Sequence, residues 1–495
     1  MNQDLILAID QGTTGTKVLL FNKDAQICAQ AYREITQYYP QPGWVEHDLK
    51  EIWSSVVDLI GEVLSKIDAC NVKAIAITNQ RETAAVWDRK DGSPLAPAVV
   101  WQCRRSVEIC KELKVSGQEE MFRRKTGLMI DPYFSGTKVK WLLDHVSGLR
   151  NRAQKGEICF GTIDTWLLWN LTGGKVFATD YSNASRTLLY NIYDLCWDRE
   201  ILKELDIPEA MLADVRPSSG KFGTTVQLGK LPSGIPITGV IGDSQGALFG
   251  EACFHPGMAK ATYGTGTSMM MYAGEKPVTP STGLVATLAW GLKGNVGYAI
   301  EGIINVTGAT MQWLRDGLGI IDNVVKSGEI ASSLTGNEGV YLVPAFVGLC
   351  APYWDMDAKG LITGLTRGTK KEHLIRAGLE SIAYQVRDVL ELMKEGSGIP
   401  LISLRADGGA AANEFLMQFQ ADVLNAEVSR PHVREVSALG ATYLAGLEVG
   451  IWENVEKIAA TWRSDRVFTP KMESDAREKL YNEWKVAVTR ALTRN

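Results

Sequence analysis

The sequence predicts an α/β protein of two related domains, and three observations carry that reading. Leu5 to Phe21, LILAIDQGTTGTKVLLF, sets two apolar runs on either side of a short Gly and Thr segment, the pattern of a β-hairpin. Met258 to Tyr272, MAKATYGTGTSMMMY, repeats that plan about 250 residues later, as two half-molecules facing one ligand would. The chain has 495 residues, too many for one hydrophobic core and enough for two. The boundary is expected near residues 245–256, dividing the chain into 1–250 and 251–495.

The first hairpin has the chemistry of a phosphate site. Asp10 ends the first strand, Gly12 and Gly15 allow a tight turn, Thr13, Thr14 and Thr16 bring hydroxyls, and Lys17 brings a cation. Successive backbone N–H groups in such a turn form a concave anion site, here beside a carboxylate suited to a metal. There is no Gly-Lys-Ser/Thr, and strand rather than helix follows, so neither a Walker loop nor a dinucleotide fingerprint fits. Gly and Thr also serve ordinary turns. The second copy, Gly264-Thr265-Gly266-Thr267-Ser268, is what favours phosphate.

The elements follow in order. Cys28 to Tyr39 reads as a strand, and Asp48 as the cap of an amphipathic helix running to about Ile67. A buried strand, Val72 to Ile77, empties into Arg81 and Glu82, where open α/β sheets place ligand groups; a solvated ion pair is the alternative. Ala84 to Trp87 reads as strand, Val99 to Arg105 as the start of a helix, and Tyr133 to Leu143 as a loop entering a helix. Thr179 to Thr187 looks like a polar loop, and Ser218 to Gly234 like surface.

Ile235 to Ile241 is a buried strand that delivers Asp243 to the head of a helix. A lone acid in that position suits a general base that takes a proton from a hydroxyl, or a helix cap. Gly302 to Asp316 reads as a helix with Gly and Gln on one side, and Gly348 to Thr369 as a long loop. Glu372 to Glu395, Ser437 to Gly450 and Asp475 to Arg494 read as helices, and Leu401 to Asp407 as a strand. After that strand, Gly408-Gly409 turns into a helix past Asn413, allowing a flat base or ribose to approach the backbone.

Composition narrows the function. Hydrophobic content of 45% and charged content of 22% are those of an ordinary globular protein. A net charge of −5 argues against a nucleic-acid or anionic-membrane partner. No apolar run reaches about 18 residues, and the N-terminus, MNQDLILAID, lacks a basic leader, so a cytoplasmic location without membrane insertion is expected. The eight Cys show no C-x-x-C spacing and the five His are dispersed, which points to reduced thiols and away from zinc. Fourteen Trp would suit the walls of a sugar or polyol pocket.

The paired hairpins resemble the plan of actin-like ATPases, sugar kinases and Hsp70 chaperones. Longer motifs narrow this. AIDQGTTGTK (8–17), GWVEHD (43–48), ITNQRET (77–83), VWQCRR (100–105), DPYFSGTKVKWLLDH (131–145), GTIDTWLLW (161–169), TDYSNASRT (179–187), PGMAKATYGTGT (256–267), GLTRGT (364–369), ESIAYQVRDVL (380–390) and DGGAAAN (407–413) resemble the FGGY carbohydrate kinases over the whole chain, most closely the branch that phosphorylates glycerol.

That resemblance implies two RNase H-like (actin-like ATPase) domains with a nucleotide and substrate cleft between them, taking ATP, Mg²⁺ and a small polyol. It implies nucleotide contacts at Thr13, Thr14, Gly15, Lys17, Thr265, Gly308, Gln312, Gly409 and Asn413. It implies a metal held near Asp10 and Asp243, a polyol site at Arg81, Glu82, Trp101, Tyr133, Asp243, Ser244 and Ser268, and Asp243 as catalytic base. A homodimer or homotetramer is implied as well.

The chain departs from the family pattern in places. Ser244 stands where glycerol-phosphorylating members usually have Gln, Ser268 where they have Phe, and Lys17 where they have Arg. Cys350 and Glu414 replace the usual Gly and Asn. Glycerol, phosphorylated to glycerol 3-phosphate, is the first expected acceptor. A larger polyol such as erythritol, threitol or xylitol, or a related ketose, is the alternative, since both serines enlarge the pocket and make it more polar. A non-catalytic actin-like binding protein is the reading from another class; intact Asp10, Asp243 and hairpins disfavour it.

Overall fold

A computed structural model describes residues 4–279 and 283–493. The first strand, β1 (Leu5–Gln11), pairs antiparallel with β2 (Gly15–Asn22), with Asp10 opposite Lys17. β2 pairs with β3 (Ile27–Glu34), and β1 lies parallel to β4 (Val72–Asn79). Two further strands, β5 (Ser219–Thr224) and β6 (Pro236–Gly242), complete a sheet of order β5-β6-β4-β1-β2-β3.

The second sheet begins at the second hairpin, β7 (Met258–Tyr263) and β8 (Thr267–Gly274), and adds β9 (Val285–Leu292) and β10 (Asn295–Ile304). β11 (Ser403–Asp407), β12 (Glu427–Pro431) and β13 (Ser464–Phe468) extend it to the order β9-β10-β8-β7-β11-β12-β13. In each sheet an antiparallel hairpin adjoins strands parallel to its first member: β4 and β6 in one, β11 and β12 in the other.

Both faces of the first sheet are covered, which explains the unbroken apolar run in β1. Leu5, Leu7 and Ile9 pack toward α1 (Leu49–Val63) and α3 (Ile163–Leu171), while Ile6 and Ala8 face α5 (Asp243–Gly250) and α9 (Val436–Glu448). α2 (Ser135–His145) and the short α4 (Tyr181–Ala184) lie between these in the chain. The second sheet buries one face under α7 (Lys371–Ser397) and α8 (Glu414–Leu424) and turns the other toward α5. Between α5 and α7 comes α6 (Gly308–Asp316), and α10 (Ser474–Ala491) closes the described chain. One apolar cluster thus joins β1, β2 and β4 to α5, α9, β8 and β10.

Several sequence expectations are corrected. Val99 to Arg105 does not start a helix: a short strand at Ala98–Val99 ends there, and the helix begins at Val107. Thr179 to Thr187, read as a polar loop, is buried apart from Tyr181 and carries the end of a strand and a helical turn through Ala184. Its hydroxyls and amides satisfy one another: Asp180 accepts from the Ser182 and Asn183 N–H groups and from Ser218 Oγ at 2.6 Å. Ser218 itself is fully buried and leads into β5, so this stretch is not all surface. Gly302 to Ile304 belong to β10, and the helix starts only at Gly308. Within 348–369, residues Leu361–Thr363 form a strand. Gly242 rather than Asp243 caps α5. Arg494, placed in the last helix, lies outside the described residues.

α5 and α9 meet backbone to backbone. A Cβ on Gly440 would fall 1.9 Å from the Gly246 carbonyl oxygen, and one on Gly250 would fall 2.1 Å from that of Val436. Since neither backbone can yield without moving a sheet, Gly440→Val should cost about 1–3 kcal/mol or more. A shift of the urea midpoint to lower concentration checks this, and an unchanged midpoint would contradict the contact.

Candidate active site

Strand period fixes what the first hairpin presents. Asp10 and Lys17 are cross-strand partners, on the face of the sheet that carries α9. Glu435, the residue before α9, meets Lys17 there, Nζ to Oε2 2.6 Å. The Asp10 carboxyl is pushed up to about 7 by burial, with Lys17 opposing and Asp243 and Glu435 adding to the rise. The turn is tight: Gly12 N–H donates to the Gly15 carbonyl at 2.9 Å. A Cβ on Gly15 would lie 2.5 Å from the Arg33 carbonyl oxygen, so glycine is needed there. Thr13 Oγ1 accepts from Trp101 Nε1 at 2.8 Å, and Thr14 is exposed at the tip.

Arg81 and Glu82 leave the end of β4 and are not solvated. Glu82 has φ +61°, a left-handed conformation costly for a residue with a Cβ. Its carbonyl is held by Ser135 Oγ at 3.0 Å and Lys138 Nζ at 3.4 Å, both on α2. Lys138 also donates to the Tyr133 carbonyl, and burial lowers this ammonium to about 8. Arg81 Nη2 lies 2.7 Å from Glu301 Oε1, and Arg186 bridges Glu82 Oε1 (2.6 Å) and Glu301 Oε2 (2.7 Å). All four side chains are at most 4% exposed. Burial raises the Glu301 carboxyl, but Arg186 and Arg81 outweigh it and hold it down at about 2. Trp101 and Tyr133 form an edge-on pair with ring centroids 5.4 Å apart.

Asp243 heads α5 with its side chain 41% exposed, and Oδ1 is 3.1 Å from Arg81 Nε. Ser244 follows, and its hydroxyl is 3.3 Å from that of Ser268 on β8. The hairpin register puts Ser268 opposite Thr262, so both face the same way as Lys260, toward α5. Glu301 of β10 shares that face, since its neighbour Ala299 packs there and Ile300 packs on the other side.

The remaining nucleotide candidates surround the second turn. Gly308 N–H donates to the Gly264 carbonyl at 3.1 Å, and a Cβ on Gly308 would be 2.4 Å from that oxygen. Thr265 accepts from the Thr307 and Ala309 N–H groups through its carbonyl, and Gln312 lies exposed on α6. Gly409 borders open space: a Cβ added there would meet nothing within 4 Å. Asn413 caps α8 through the Leu416 N–H and donates to Ser327 Oγ at 3.0 Å.

Sequence reasoning missed Glu301, Arg186, Lys138, Lys260 and Glu435. Arg186 stood in a stretch read as a polar loop, Lys260 in the first strand of the second hairpin, and Glu301 fell just before the segment read as a helix from Gly302. Charged residues are almost never fully buried unless paired, and the charged partners of Glu301, Arg186 and Glu435 lie far away in the sequence.

Two outcomes follow. Glu301→Gln leaves two buried guanidinium groups short of a counter-charge and should destabilise the protein by about 3–5 kcal/mol, read by chemical denaturation. The folded-state carboxyl of Asp10, about 7, lies above its ordinary 3.8. The native state therefore binds a proton that the unfolded chain releases, and stability falls as pH rises between those values. Asp10→Asn should flatten that slope in a pH series of thermal melts; an unaltered slope would place the titration elsewhere.

The comparisons agree with this architecture. The model of the FGGY carbohydrate kinase N-terminal domain matches residues 5–250, and that of the C-terminal domain matches 259–449. Glycerol kinase of Caldanaerobacter subterraneus is 57% identical over 489 residues, 98% of each chain. Glycerol kinase 2 of Thermotoga maritima is 55% identical, again over 98% of each. The crystal structure of Plasmodium falciparum glycerol kinase with ADP superposes with a TM-score of 0.96 at 37% identity, covering 100% of this chain and 99% of that one. Xylulose kinase from Lactobacillus acidophilus, with a TM-score of 0.88 at 22% identity, shares the fold. Matched by both domain models and by relatives along nearly its whole length, the chain belongs to the FGGY family of carbohydrate kinases.

Proposed function

We propose that the protein transfers the γ-phosphoryl group of ATP to a primary hydroxyl of glycerol, giving glycerol 3-phosphate. The observation that carries this is Asp243: a carboxylate open to the cleft at the head of α5, oriented by Arg81 at 3.1 Å and set between the two hairpins. Relatives named glycerol kinase at 55–57% identity support glycerol as acceptor. We place the reaction in the cytoplasm and take 1–250 and 251–495 as the two working halves. Among the described residues no helix is long and apolar enough to cross a membrane.

The donor set suits Mg²⁺. Burial, with smaller contributions from Asp243 and Glu435, raises the proton affinity of Asp10, a cost that a cation relieves. Among the described residues no three acidic, His or Cys side chains converge closely enough to hold a metal by themselves, which fits an ion that keeps several waters. Asp10 and Asp243 would hold it, and it would neutralise charge on the phosphoryl oxygens.

The chain's own residues do the rest. Arg81 and Glu82 orient the polyol hydroxyls while Trp101 and Tyr133 wall in its carbons. Asp243 takes the proton from the attacking hydroxyl. The backbone N–H groups at Thr13, Thr14, Gly15 and Thr265, with Lys17, receive the phosphates, and Gly308, Gln312, Gly409 and Asn413 border the base and ribose. Rate comes from positioning and charge neutralisation.

Asp243→Asn keeps the shape and removes the base. In a coupled ADP-release assay with glycerol, kcat should fall roughly 10²–10⁴-fold while the melting temperature stays close to that of the parent. Retention of a tenth or more of the activity would remove Asp243 from the role of base.

A further inference from the structure

We propose that Ser244, Ser268 and Lys260 form a distal acceptor subsite for an oxygen carried on a fourth carbon, so that four-carbon polyols are substrates alongside glycerol. The inference rests on the polyol-kinase reading and names the acceptor class of that same site.

The geometry comes from two independent elements. Ser244 is the second residue of α5, directly after Asp243, and Ser268 is the second residue of β8. Their hydroxyls are 3.3 Å apart, and both residues are only partly covered. Lys260, on the same face of the hairpin, is 1% exposed, with Nζ 3.4 Å from Ser268 Oγ and 3.1 Å from Thr262 Oγ1. Thr262 in turn donates to Asp407 Oδ2 at 3.1 Å. A buried amine therefore donates to Ser268, one member of this hydroxyl pair, while both serines remain partly exposed.

Chemistry then selects the ligand. Each hydroxyl offers one donor and two acceptor positions, and an ammonium offers three donors. The serine pair contact uses a fraction of that capacity. A substrate hydroxyl placed against the pair can accept from one serine and donate to the other. A bare carbon placed there would strip water from two hydroxyls without replacing their hydrogen bonds, which weakens its binding. The aromatic walls of the site, Trp101 and Tyr133, belong to the first half of the chain. On the side of the second sheet the acceptor meets hydroxyls, and so an acceptor that brings an oxygen to them is favoured.

The test uses the full chain with MgATP and an ADP-release assay on glycerol, erythritol, D-threitol and L-threitol. The expected result is a tetritol whose kcat/KM lies within about tenfold of that for glycerol. The double variant Ser244→Ala/Ser268→Ala should then lower the tetritol-to-glycerol ratio by about tenfold or more, and Ser268→Phe should lower it further. The subsite is overturned if every tetritol is about a thousandfold poorer than glycerol, or if both variants leave the ratio within about threefold of the parent. Lys260 stays intact in every variant, since replacing it would remove a buried charge. If no acceptor at all is phosphorylated, it is the kinase reading that fails. The subsite is then judged by thermal shift with erythritol and MgADP: a shift lost in the double alanine variant supports it, and the absence of a shift in the parent overturns it.

Discussion

The cleft depends on four buried charges. Arg81 and Glu82 leave the first sheet, Arg186 follows α4, and Glu301 stands in β10 of the second sheet. Two cations and two anions balance, which is the condition under which charges can be buried at all: desolvating each ion costs several kcal/mol and is repaid only by close partners. A buried ion network of this kind is weak evidence for stability. What it supplies is geometry. Arg81 Nη atoms are fixed by Glu301 on one side of the gap, and its Nε is left facing Asp243. The orientation of the Asp243 carboxylate thereby depends on a residue of the other sheet. The two halves cannot shift in register without breaking that network.

The same gap receives side chains by simple alternation. On β1 and β2, Asp10 and Lys17 share a face with Ala8 and Leu19; on β7 and β8, Lys260 and Ser268 share one with Met258 and Met270. Both sets point toward the layer filled by α5 and α9. Those helices are poor in bulk where they meet, at Gly246, Gly250 and Gly440, so the sheets come close enough for groups on facing strands to act on one acceptor. The buried polar segment at 179–187 braces the strand ends behind them: Ser182 Oγ accepts from the Gly242 N–H at 2.8 Å, and Asn183 pairs with Asn79. Hydrogen bonds of this kind hold the ends of β4 and β6, and so place Arg81 and Asp243.

What was legible in the sequence is what local pattern encodes. Apolar runs on either side of Gly/Thr turns marked both hairpins, and strand ends emptying into charged or acidic residues marked Arg81, Glu82 and Asp243. At Thr179 to Thr187 and at Ser218 tertiary burial overrode local polarity. Thr179 to Thr187 has the composition of a loop because its hydroxyls serve each other rather than water. Glu301 was hidden because a carboxylate in a strand signals nothing until its guanidinium partners, more than a hundred residues away in sequence, are brought to it by the fold. Glu435 was missed for the same reason: its partner Lys17 is 418 residues distant.

Lys17 and Glu435 also bear on the charge balance of the first hairpin. A guanidinium is a planar fork, and once committed to a carboxylate it presents a fixed edge. An ammonium is a point charge with three donors, so Lys17 can keep Glu435 at 2.6 Å and still direct donors toward the turn. Glu435 thus serves as a tether that keeps the cation beside Asp10 rather than in solvent, where 36% of its side chain is already exposed. The tether has a cost, since Glu435 adds a third negative charge near Asp10 and Asp243. That cost is largest when the carboxylates stand alone and is offset when cations gather among them. A cation gathered beside Asp10 would therefore act in the same direction as Lys17, which already lowers the proton affinity of that carboxyl.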